Sequence, residues 1–138
     1  MAKLKISEII NTAAQFPDEN DRINFLREHD NPALRQVLQY GLDANIKFLL
    51  PEGKVPYKPS SFDESRFILY NQARKLYLFV EGGNDNLSPF KREMIFVTFL
   101  ESIDPEDAEL ICQIKDKKLP EGITAKVVNT AFGGLVNT

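Results

Sequence analysis

The side chains able to make or break bonds are few, and they are scattered. The one histidine, His29, lies in REHDNP, and the one cysteine, Cys112, lies in AELICQIKD. A nucleophilic triad or a zinc site needs several such groups converging. Neither residue has a partner nearby in sequence. His29 reads as a surface residue near a helix C-terminus, where a partial positive charge is favoured. Cys112, between Ile111 and Ile114, reads as a small buried apolar side chain. A single cysteine forms no intrachain disulfide, which fits a reducing compartment. The glycine pairs in EGGNDN and FGGLVN lack the spacing and the following lysine of a phosphate-cradling loop. No cofactor or metal is implied, and the chain reads as a non-enzyme.

Groups that could bind rather than react are more concentrated. ESIDPEDAE carries Glu101, Asp104, Glu106, Asp107 and Glu109. Their spacing does not match a calcium loop, and Glu106 and Asp107 fall in a first helical turn, where the dipole favours acid. An acidic docking surface for a partner is the better functional reading, with Glu106 and Asp107 at its centre. KDKKLPEGITAK gathers Lys115, Lys117, Lys118 and Lys126 around one turn. These lysines suit phosphate contacts, but no arginine or aromatic ring accompanies them, so base readout and stacking are not expected. VPYKPSS displays Tyr57 and Lys58 between prolines, as an extended recognition segment would.

The elements that must position these residues are mostly helical. Apolar residues at three- and four-residue steps predict a helix over 4–16, ended by Pro17, and a second over 19–29, capped by Asp18. Asn31-Pro32, Ser88-Pro89 and Asp104-Pro105 share one device. A polar side chain accepts from an orphan amide, and proline occupies the first helical position at no hydrogen-bonding cost. Helices therefore start near 32, 89 and 105. Residues 50–61, with three prolines and a glycine, form an extended surface loop. Ser61 to Glu64 reads as a capping box opening the longest and most buried helix, 62–80. Its end, KLYLFV, also suits a short strand. EGGND supplies a left-handed glycine stop at Gly82 or Gly83. Helices over 89–102, 105–115 and 125–132 complete an all-α single domain of six or seven helices. The broadly apolar 62–80 and 89–102 helices suit either a core or a dimer interface.

The tetrapeptide LPEG occurs twice, at 50–53 and 119–122. Each copy follows lysine and reads as a turn, with proline fixing φ and glycine allowing φ > 0. The flanking landmarks recur in the same order, which leaves room for residues 19–83 and 89–134 to be two related three-helix units. The plainer alternative is that cap, helix and turn are generic and recur by chance.

With 138 residues and 43% hydrophobic composition, the chain is long and apolar enough for one core of its own. The net charge of −3 argues against a surface-wide field for nucleic acid or anionic membrane. No apolar run approaches the roughly 20 residues of a membrane span. MAKLKISEII has a basic start but no long apolar stretch, so no signal peptide is expected.

NPALRQVLQYGLDANIKFLLPEGKVPYKPS and FLESIDPEDAELICQIKDKKLPEGITAKVVNTAF, with the aromatic run between them, resemble a family of small proteins of large contractile-tailed bacteriophages, cyanophages among them. The resemblance covers roughly residues 30–132 and transfers no catalytic or binding residues. It implies a viral protein acting in the cytoplasm of a host bacterium. The expectation is a non-enzymatic protein that docks on another protein, host or viral, during infection. The candidate surfaces are the 51–60 loop, the acidic start of the 105–115 helix and the lysine turn. Two alternatives stand beside it: a nucleic-acid-associated accessory factor in replication or transcription, and a component of virion assembly. The oligomeric state is left open.

Overall fold

Helix caps organise the chain. Asp18, Asn31, Ser88, Asp104 and Thr124 each accept a hydrogen bond from an amide in the turn that follows, at 2.8–3.2 Å. The structure, a computed structural model, describes residues 3–60 and 63–138. The described residues hold seven α-helices: α1 (Ile6–Gln15), α2 (Glu19–Glu28), α3 (Pro32–Leu42), α4 (Leu69–Gln72), α5 (Pro89–Ser102), α6 (Pro105–Lys115) and α7 (Ala125–Phe132). Both LPEG turns put their glycine at positive φ, 97° at Gly53 and 94° at Gly122. The capping box read at Ser61 lies outside the described residues.

The long helix expected over 62–80 is broken. Asp63–Phe67 is a 3₁₀ segment, α4 is one turn, and Ala73–Phe79 is 3₁₀ again. The cause lies in the spacing of its buried residues. Ala73, Leu76 and Phe79 recur at steps of three and are fully buried. Three residues per turn put such a series on one line, whereas an α-helix would rotate it away from the core. The segment is correspondingly one-sided: Arg74, Lys75 and Tyr77 are exposed. Its strand character is confined to Val80, which forms an antiparallel bridge with Phe48. The amides of Leu49 and Glu81 donate to Phe79 and Lys47 carbonyls, each at 2.8 Å.

All these elements share one hydrophobic core, in a single compact domain. α2 packs between α1 and α7, and α3 lies against α6 and the Ala73–Phe79 segment. Ile6, Leu26, Leu34, Leu100, Ile111 and Val127 are among the residues with no exposed surface. Gly41 permits the α3–α6 approach. A Cβ there would lie 2.9 Å from Ile114 Cγ2 and 3.0 Å from Leu119 Cδ1. The C-terminal segment is tied down by Asp43, whose carboxylate accepts from the Asn45 amide and from both nitrogens of Asn137. No helix among the described residues is long and apolar enough to cross a membrane.

A groove between a proline-rich strap and helix α5

Residues 50–60 carry no regular secondary structure and run as a strap over α5 and α6. Their prolines remove amide donors, so the strap is fastened by side chains. Lys115 Nζ donates to Pro51 O at 2.8 Å, Gly53 O at 3.0 Å and Asp116 Oδ1 at 2.6 Å. The Gly53 amide donates to the Asp116 carboxylate, and the Lys58 amide donates to Glu101 Oε2 at 2.7 Å. The two LPEG turns are therefore closed differently. In the second, Pro120 O accepts from the Ile123 amide. In the first, Pro51 O accepts from Lys115.

This arrangement redraws the lysine turn. Lys115, expected at the surface, is 5% exposed. An ammonium has three protons to donate, and all three are engaged. Lys117 sits at positive φ, and its Nζ donates to Tyr40 O and Asp43 O at the C-terminus of α3, a position that suits a cation. Lys126 pairs with Glu19 at 3.4 Å. Lys118 is exposed.

The acidic stretch is redrawn as well. Asp107, expected on a docking surface, is 1% exposed. Its Oδ1 accepts from the Ser7 amide at 2.9 Å, while Oδ2 is buried with no hydrogen-bond partner. Burial raises its carboxyl to about 6, although the Ser7 hydroxyl and amide beside it and the nearby Lys5 charge pull the other way. Glu106 stays exposed and shares Lys5 Nζ with Asp104, at 2.7 and 3.2 Å. The described residues hold no cluster of His, Cys, Asp or Glu that could bind a metal ion. Sequence reasoning missed these burials because α1 and α6 lie far apart in the chain, and no local signal marks their meeting.

Tyr57 is half-buried and packs onto the core from the strap, and burial raises its phenol. Lys58 is exposed. Cys112 is half-buried in a cleft of about 360 Å³ shared with Tyr57 and Lys118, and burial raises its thiol. His29 lies at the C-terminus of α2 with its ring 4.5 Å from that of Phe25.

The opening that sequence reasoning did not place lies on the other side of the strap. Leu50, Val55 and Pro56 face Phe90, Met94 and Val97 of α5 across a groove of about 430 Å³. Lys54 and Glu93 are its charged residues. Phe90 is 73% exposed and Met94 55%. α5 buries Phe96, Phe99 and Leu100 inward, yet Met94, Ile95 and Val97 make it apolar around much of its circumference. A helix of that composition is normally covered on all sides. A second hollow of about 380 Å³ lies on its other flank, beside Ile68, Leu78, Ile95 and Thr98.

The model of a family of unknown function, DUF6433, matches residues 9–121, and the chain belongs to that family. No curated protein matches it.

Proposed function

We propose that this DUF6433 protein is a non-enzymatic binding protein that takes an apolar segment of another protein into the groove between the strap and α5. The observation that carries the reading is the exposure of Phe90 and Met94 beside that groove. Contiguous exposed apolar surface marks interaction sites, and aromatic residues and methionine are enriched in the buried centres of interfaces. Methionine adapts its shape to a partner at little cost.

The lining supports binding over catalysis. It offers one lysine, one glutamate and the Thr98 hydroxyl among apolar side chains, and no histidine, cysteine or serine. Acid–base or nucleophilic chemistry needs a matched pair within hydrogen-bond reach. We place the protein in the cytoplasm of a phage-infected bacterium on the strength of its sequence resemblance to contractile-tailed phage proteins. Its partner there is a host or viral protein.

A photo-crosslinking residue in place of Phe90 tests this reading in cells. One discrete cross-linked protein, absent when the residue replaces exposed Arg74, supports it. Equal, diffuse labelling from both positions overturns it. Cross-linking to nucleic acid instead favours an accessory role in replication or transcription. Recovery in purified virions favours an assembly role.

A further inference from the structure

The outward crest of α5 carries a second pattern, which shares Met94 and Thr98 with the rim of the groove. Lys91, Met94, Thr98 and Glu101 are all exposed and recur at steps of three, four and three. That is the a and d spacing of a coiled-coil seam. Phe90 and Val97 flank the seam on the strap side, and Ile95 flanks it on the other. Thr98 lines both hollows, so the surface falls away on either side of it.

We infer that this crest is a two-fold interface, where α5 packs antiparallel against α5 of a second copy of this chain. The order of residues in the seam selects the occupant. A two-fold axis at the level of Phe96 sets Lys91 opposite Glu101 of the second copy, and Glu101 opposite its Lys91. Met94 then meets Thr98 of the second copy, so the larger side chain lies against the smaller one where the surface is hollow. Both ends of the seam close with opposite charges. A parallel pairing would instead set lysine on lysine and glutamate on glutamate. Antiparallel helices also place their dipoles head to tail, and a two-fold contact must be self-complementary in this way. Glu101 can meet both demands, because its Oε2 accepts from Lys58 and a carboxylate has about four acceptor sites. The seam from Lys91 to Glu101 runs about 15 Å along a 14-residue helix, which suits a reversible dimer.

The inference rests on the uncovered state of α5 that also supports the groove reading, but the two are separable. Lys91 and Glu101 do not line the groove. Lys91 also makes no contact with the strap, whereas Glu101 holds it through the Lys58 amide, so Lys91→Glu is the change that removes the dimer and leaves partner capture unchanged.

Sedimentation velocity on the full chain, from low to high micromolar concentration, provides the test. The mass should climb from the 15.7 kDa of one chain toward twice that value. Lys91→Glu or Glu101→Lys alone sets like charges opposite each other at both ends of the seam and should weaken association about tenfold or more. Both changes in one chain exchange the charges and should restore it. Each change suits its place on the helix dipole, acid near the start and base near the end, so α5 itself is not weakened. Glu101→Gln keeps an acceptor for the Lys58 amide and should weaken the dimer without releasing the strap. A wild-type chain that stays monomeric at every concentration overturns the inference. So does a dimer that the single changes leave intact, or one that the double change fails to restore.

Discussion

Replacing Asp107 by asparagine should stabilise the protein at neutral pH, although it removes a charge from a helix N-terminus. The carboxylate is buried against α1, with one oxygen accepting from the Ser7 amide and the other unpartnered. Its carboxyl is raised from 3.8 to about 6. At about 1.36 kcal/mol per unit, that shift corresponds to roughly 3 kcal/mol against the ionised form in the folded state. Asp107 also stands in the first turn of α6, where the dipole returns about 0.3–1 kcal/mol to an anion. Asparagine keeps the acceptor for Ser7, loses the charge and loses the dipole term. The expected gain is therefore about 2 kcal/mol above pH 7.

The pH dependence fixes the sign. A carboxyl raised in the folded state binds its proton more tightly there, so wild type gains stability as pH falls from above 6 toward 4. The neutral amide does not titrate. The advantage of Asp107→Asn should thus be full above pH 7, shrink through pH 6 and vanish near pH 4. Urea denaturation midpoints at constant slope, measured for both chains across this range, read it directly. A variant less stable than wild type at pH 7.5, or an advantage that does not change with pH, would refute the reasoning. Either result would mean that Lys5 and the helix amides more than offset the burial of the charge.

Other expectations follow from single contacts. Asp43→Ala leaves three donors without their acceptor and should cost about 2–4 kcal/mol at neutral pH. The Asp43 carboxyl is itself held below its usual range. Burial pushes it up, and the hydrogen bonds from Asn45 and Asn137 outweigh that effect. Its contribution should therefore be present above about pH 4 and lost in more acid solution. Gly41→Ala forces a Cβ against Ile114 and Leu119 and should cost about 1–2 kcal/mol by urea denaturation, overpacking outweighing the gain in helix propensity. Lys115→Met frees Pro51 O and Gly53 O. It should speed tryptic cleavage at Lys54, seen by mass spectrometry, before the rest of the chain opens.

Local chemistry predicted most of the helical fold, and it failed where distant segments meet. Asn31-Pro32, Ser88-Pro89 and Asp104-Pro105 cap their helices as read, because a cap and its amide lie two or three residues apart. The turns at Gly53 and Gly122 follow from the same kind of local rule. The break in 62–80 was also written locally, in the three-residue step from Ala73 to Leu76 to Phe79 beside Arg74 and Lys75. Reading 62–80 as one long buried helix hid it. Asp107 and Lys115 look like surface charges because their burial depends on partners some 60 to 100 residues away. Half of the groove was visible in the apolar excess of 89–102. Its other wall depends on where Lys115, Asp116 and Glu101 fasten the strap, and periodicity carries no information about that.

The most direct test of the groove uses affinity capture. Tagged wild type and Phe90→Glu would each be passed through bacterial lysate treated with nuclease at moderate salt, and retained proteins identified by mass spectrometry. Phe90 is mostly exposed, so the change should leave folding intact while placing a charge in the apolar mouth of the groove. The groove reading predicts one protein retained by wild type and lost from the variant. Identical retention by both chains would contradict it, as would captured material that disappears entirely with nuclease.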